Sequence, residues 1–356
     1  MDSFHQRQII FPNQTNMKSL ALILSVLCAL FVNARIIIIP KNADGGLYKP
    51  KHNAQPGDTI MLTGDYAYIF LENVEGAPGK PIVITNKDQV RIGIGTNNYS
   101  FLLVNSNYVH VDGSGVKDIK YGFLVGGLNG TFNAQGFSFG GNHFEINGME
   151  IHNSQLGFFS NSKTGGPWKW ISIHNNYVHG LDNPQELGRS EAIYIGNTDP
   201  STYVSSGSFD SVDIYNNVFE NLSGDGIQVA RTRHLKIHDN IINNYGKANL
   251  EEQRSGIIIG GCSSGSVTNN KITKGTGAAI QVFGSGNVDL INNTIQQTAS
   301  SKNEDAIYIN GKCLDGPKLK VRLVNNKIDH ANREFVKDAN SQPCVIENKG
   351  NVFGRK

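Results

Sequence analysis

Between residues 171 and 328 the chain repeats one alternation of apolar and polar positions. ISIHNNYV (171–178), VDIYNNVF (212–219), LKIHDNII (235–242), GSVTNNKI (265–272), VDLINNTI (288–295) and VRLVNNKI (321–328) superpose without a gap. Each reads as a strand with one buried face, a polar bend, and a second strand. The second bend residue is always asparagine: Asn176, Asn217, Asn240, Asn270, Asn293 and Asn326. Upstream, FEINGM and VHVDGS are expected to bring Asn147 and Asp112 to the same place. After a loop of variable length a third strand follows: EAIYI (191–195), DGIQV (225–229), SGIII (255–259), AAIQV (278–282) and DAIYI (305–309).

Copies recur at intervals of roughly 23 to 41 residues, the spacing of supersecondary repeats. A unit this small cannot bury its own inward face, so successive units must stack. Stacking sets equivalent strands about 4.8 Å apart in parallel sheets. Asparagine tolerates left-handed backbone at a tight bend. Its amide can also donate to the next coil while accepting from the last. A buried amide without partners costs about 1–3 kcal/mol, which favours a continuous ladder over isolated asparagines. The fold class expected is all-β, a parallel β-helix solenoid with Asn-ladder turns.

One solenoid domain is expected over 35–356, with opening coils at 35–100, regular coils at 101–330 and a terminal rung at 331–356. Residues 115–135 read as an insertion between coils. Forty glycines fit a chain of strands and bends. A net charge of +2 offers no basic stripe for nucleic acid. Residues 1–34 form an N-terminal extension in which Met17–Ala34 has the basic start, apolar run and small-residue exit of a secretory signal peptide. The run is short for a membrane span. A secreted, periplasmic or cell-surface monomer is expected. Export would permit a disulfide, for which Cys313 and Cys344 are the candidate pair; the alternative is separate core thiols.

These Asn-turned coils behind a leader resemble the secreted right-handed β-helix proteins of the pectate-lyase-like superfamily, over nearly all of the mature chain. The resemblance implies the right hand of the coil, and a polysaccharide bound along the sheet that follows the long loops. On that sheet alternation turns Tyr194, Gln228, Ile258, Gln281 and Tyr308 outward, with Phe159 from the preceding coil. Tyr and Phe offer flat apolar surface to sugar rings and Gln bonds hydroxyls; Arg254 is a further candidate contact.

Glu191 and Asp225 share a column on neighbouring coils, so their carboxylates are expected about 5 Å apart. Repulsion of roughly 3 kcal/mol at an effective dielectric near 20 then calls for a shared proton, an arginine or a cation. The first reading is a polysaccharide lyase acting on a uronate polymer by β-elimination. Glu191 and Asp225 would hold Ca²⁺, while Arg231, Arg189 or Lys163 offset the substrate charge or take the proton. The alternative for both acids is turn capping. A glycoside hydrolase is a further reading. However, Asn197-Thr198-Asp199 falls after its strand, and neither a Gly-His-Gly nor the Asp-Pro-His-Glu of uronate epimerases occurs. A non-catalytic carbohydrate-binding surface protein is the third. His174 and His238 read as exposed bend residues.

Overall fold

The computed structural model describes residues 34–49, 52–93, 99–127, 133–161, 167–182, 190–197, 207–284, 286–300, 305–311, 319–329, 333–340 and 343–354. The leader segment, Lys163, Arg189 and Cys313 therefore lie outside the described residues, apart from Ala34 at the leader's end.

One turn of the chain illustrates the rest. Phe209–Tyr215 runs along what we call the second wall, and Val218–Glu220 follows on the third. After a loop, Ile227–Ala230 forms the first wall. Leu235–His238 then lies parallel on Phe209–Tyr215, with Ile214 against Ile237. The third wall is a ten-stranded parallel sheet. The first and second walls merge into one 22-stranded sheet, because Tyr99–Asp112 and Asn133–Asn147 run unbroken through the bend between them. No helix occurs among the described residues, so none is long and apolar enough to cross a membrane.

The core is three inward columns. Ile173, Ile214, Ile237, Val267, Leu290 and Leu323 line the second wall. Val178, Phe219, Ile242, Ile272, Ile295 and Ile328 line the third, and Ile193, Ile227, Ile257, Ile280 and Ile307 the first. All are buried. Each such side chain contributes roughly 1.5–3 kcal/mol on leaving water.

The bend between the second and third walls divides two tasks between neighbouring residues. Its first member takes the left-handed backbone: Asn175, Asn216, Asp239, Asn269, Asn292 and Asn325 all have φ between 53° and 57°. Its second member builds the ladder. Asn240 Nδ2 donates to Asn270 Oδ1 at 3.0 Å and accepts at Oδ1 from Asn217 Nδ2 at 3.0 Å. The chain of amides runs from Asn176 to Asn351.

Three expectations need correction. Asn147 and Asp112 stand outside the ladder, since register aligns both with His174. In that coil Gly148 (φ 72°) makes the left-handed bend, and the ladder's position falls to Met149, whose N–H donates to Asn176 Oδ1. Part of the supposed insertion is a regular rung: Phe123–Val125 pairs with Val90–Ile92 and with Met149–Ile151. Finally, Cys344 is a buried thiol in the core rather than half of a disulfide with Cys313. The disulfide-bonded cysteine is Cys262, whose other half lies outside the described residues.

Candidate functional site

A groove of about 880 Å³ opens on the outer side of the second wall, across six coils. Its floor is the outward column His110, Glu145, Ser172, Asp213 and Lys236. Two residues further along each strand, Asn147, His174, Tyr215 and His238 form a ridge. The bend into the wall supplies the opposite ridge, which includes Tyr108, His143 and Trp170.

Stacking is a consequence of register, since like-placed rings on successive coils meet face to face. His174 lies 4.6 Å from Tyr215 at 10°, and Tyr215 lies 5.0 Å from His238 at 3°. Asn175 Nδ2 donates to His174 Nδ1 at 2.9 Å, which leaves Nε2 to donate to Glu145 Oε1 at 3.1 Å. His238 has Nε2 3.0 Å from Asp213 and Nδ1 2.7 Å from Asp239. Both contacts are hydrogen bonds only when both ring nitrogens carry protons. Just outside, Asp210 accepts from His234 Nδ1 at 2.7 Å and pairs with Arg233 at 3.3 Å. The His234 bond holds the Asp210 carboxyl below the usual range, against the upward push of partial burial. Burial lowers the His143 imidazole.

The first wall carries the residues singled out from sequence. Phe159, Tyr194, Gln228, Ile258, Gln281 and Tyr308 do fall in one outward column. Gln228 is nonetheless only 8% exposed, and Ile258 is buried as well. Phe159 and Tyr194 meet edge-on, with centroids 5.9 Å apart. Arg254 bonds Asn249 Oδ1 within its own loop at 3.0 Å. Arg231 takes left-handed backbone (φ 54°) as the chain leaves this wall, packed beside Gly261.

Glu191 and Asp225 are neighbours as expected, with Ala192 N–H bonded to the Asp225 carbonyl at 3.2 Å. They lie inside the wall, however, at 2% and 0% exposure. Asp225 Oδ1 accepts from Ser255 N–H on the next coil at 2.5 Å, and Asp305 Oδ1 accepts from Glu334 N–H at 2.9 Å. Capping is thus what Asp225 does. Burial, and after it the Glu191 charge, push the Asp225 carboxyl well above its ordinary range. With Oδ1 committed to a backbone N–H and no exposure to solvent, the Asp225 carboxyl has at most one oxygen left for a cation. Among the described residues no group of three or more His, Cys, Asp or Glu is placed to hold a metal ion.

Residues 100–295 and 169–352 match the family described as right handed beta helix region. The chain belongs to this family. A search of curated proteins returned no match. Among solved structures, the right-handed β-helix seen here is similar to an alginate lyase from Paenibacillus sp. str. FPU-7. The TM-score is 0.54 at 15% identity, covering 90% of this chain and 98% of that one. It also resembles a GH136 lacto-N-biosidase from Eubacterium ramulus, with TM-score 0.48, 12% identity, and 96% and 70% covered. A third likeness is to the A-module of a mannuronan C-5 epimerase from Azotobacter vinelandii, with TM-score 0.31, 14% identity, and 94% and 90% covered. The likeness to the alginate lyase shows the fold and says nothing of chemistry.

The second wall lines its groove with titratable groups, of which His174 is buried and His238 half-buried. His174, Tyr215 and His238 each occupy the residue before the left-handed bend. Their recurrence as rings at that position, on three successive coils, is the signal in the sequence that marks the groove.

Proposed function

We propose that this chain is a polysaccharide lyase that cleaves a uronate-containing polymer by β-elimination in the second-wall groove. One observation carries the reading: Tyr215 stands between two imidazoles in a solvent-open groove whose floor carries Lys236. Elimination needs three things that these groups offer. Lys236 draws charge from the uronate carboxylate, which acidifies the hydrogen on the adjacent carbon. Tyr215, as its phenolate beside the His238 ring, accepts that proton as the carbon–hydrogen bond breaks. A carbon–carbon double bond then forms, the glycosidic carbon–oxygen bond opens, and the leaving oxygen takes up a proton from the same column. Glu145 and Asp213 orient His174 and His238. The outward column of Phe159, Tyr194, Gln281 and Tyr308 is a second face along which such a polymer can lie. The leader at Met17–Ala34 suits a protein exported to meet it.

A second reading has one observation in its favour. Glu145 and Asp213 share a column two coils apart, about 9.6 Å by the strand rise, near the upper end of the spacing for inverting glycosidases. A polysaccharide panel decides between them, with alginate first because an alginate lyase shares the fold, then pectate, chondroitin and neutral glycans. Ultraviolet absorbance from a new double bond, lost in Tyr215→Phe and Lys236→Ala, supports the lyase. New reducing ends without that absorbance support hydrolysis. Silence in both assays across the panel refutes both.

A further inference from the structure

One residue per coil immediately precedes the second wall: Tyr108, His143, Trp170, Ser211 and His234. All five hold left-handed backbone, with φ between 52° and 61°. Four carry flat rings, and the first three stack. Tyr108 and His143 are 4.0 Å apart at 9°, and His143 and Trp170 are 6.2 Å apart at 21°. The stack then breaks at Ser211, whose hydroxyl donates to Asp210 Oδ1 at 3.1 Å. On the next coil the column resumes with His234, anchored to the same Asp210 oxygen at 2.7 Å. Trp170 is left 56% exposed, although one of its faces already meets His143.

The gap has a definite size. Trp170 and His234 are two coils apart, about 9.6 Å at a rise of 4.8 Å per coil. Contact on each side of an inserted ring takes about 3.5–4.0 Å. The space therefore admits one ring, and a puckered ring fills it better than a flat one. The geometry points to a subsite for a single acidic pyranose, inserted over Ser211 between the Trp170 and His234 planes. Asp210 and Ser211 bond its hydroxyls, and the exposed Arg233 and Lys236 face its carboxylate. This subsite deepens the uronate reading above and rests on it for the sign of the ligand's charge.

Fluorescence isolates the subsite, because the chain has two tryptophans and Trp168 packs edge-on to Phe209 against the core. In a Trp168→Phe background, titration with oligomannuronate or oligogalacturonate changes Trp170 emission, whereas a cello-oligosaccharide does not. Ser211→Trp completes the aromatic column, and Trp170 itself demonstrates that the position accepts tryptophan at this backbone angle. Ser211→Trp and, separately, Trp170→Ala should each weaken oligosaccharide binding about tenfold or more without moving the unfolding midpoint. Binding by Ser211→Trp equal to the parent, or no emission change with any probe, overturns the subsite. Stronger response to the neutral oligosaccharide overturns its acidic preference. Double-bond formation unaffected by Ser211→Trp would sink the subsite and leave the lyase standing. Trp170-dependent binding of an oligouronate without double-bond formation would do the reverse.

Discussion

Replacing Asn240 with alanine removes one rung from the middle of the ladder. The side chain donates to Ile214 O at 2.9 Å, His238 O at 3.0 Å and Asn270 Oδ1 at 3.0 Å. It accepts from Asn217 N–H at 3.1 Å and from Asn217 Nδ2 at 3.0 Å. Some of these groups keep another partner: Asn217 Nδ2 still reaches Ile173 O, and Asn270 Oδ1 still accepts from residue 240's own N–H. The Asn217 N–H loses its acceptor and Ile214 O loses this donor, in a buried bend. At about 1–3 kcal/mol for each of these two groups, Asn240→Ala should cost roughly 2–6 kcal/mol. That is a large share of the 5–15 kcal/mol that typically holds a domain together. Asn351→Ala is the internal control. Asn351 also accepts from Asn326, at 2.8 and 2.9 Å, but at a half-buried last rung where water can replace it. Its cost should stay near 1 kcal/mol. Urea unfolding followed by circular dichroism measures both. Equal losses would mean that the amides merely tolerate the bend, and that the ladder adds no stability of its own.

Three further outcomes follow from buried groups. Asp225 has its folded pKa raised, so the stability it contributes is complete below the unfolded value near 3.8 and is lost as pH rises toward the folded value. Asp225→Asn keeps an acceptor for Ser255 N–H and removes the titration. Relative to wild type it should gain up to about 1.4 kcal/mol per pH unit across that window, and a pH-independent difference would refute the assignment. Peptide mapping should find Cys262 in a disulfide, with Cys344 alkylated only after unfolding; rapid labelling of native Cys344 would contradict its burial. A Cβ on Gly275 would sit 1.8 Å from the ring of the buried Tyr245. Gly275→Ala should therefore cost at least about 1–3 kcal/mol by thermal unfolding, and a neutral effect would show that the ring has room to move.

The solenoid was legible because its rules are local. Alternation at period two and an asparagine at fixed spacing identify three walls and a ladder, and apolar flanking residues were enough to align Tyr194, Gln281 and Tyr308, with Phe159 placed from the preceding coil. The same logic failed where a coil changed its bend. At Asn147 the eye matches amide to amide, yet register sets Asn147 beside His174, Gly148 takes the left-handed place of Asn175, and the true equivalent of Asn176 is Met149. Gly113 and Gly148 stack so closely there that a Cβ on Gly113 would lie 2.0 Å from the Gly148 carbonyl oxygen. No side-chain pattern advertises that contact. His174 and His238, expected as exposed bend residues, are buried and half-buried beside Tyr215 for a related reason. Each copy alone presents an outward residue beside a bend, and only stacking turns three such residues into a ridge.

The choice of groove turns on where a carboxylate can meet solvent. Along the first-wall bend, Asp225 and Asp305 are held under the coil because a parallel strand's leading N–H groups need acceptors there. That same need takes them out of reach of a polymer: a sugar would have to open the wall to touch Asp225. On the second wall Asn107, Asn142 and Ser263 accept from leading N–H groups, and the outward Glu145 and Asp213 bond imidazoles instead. Glu145 and Asp213 are accordingly 50% and 34% exposed while bonded to His174 and His238. An acid that orients an imidazole at the edge of water can take part in proton transfer, whereas one that caps a buried strand cannot do so without undoing the fold. Backbone accounting therefore assigns the first-wall acids to architecture, whereas the second-wall column is a place where chemistry is compatible with stability.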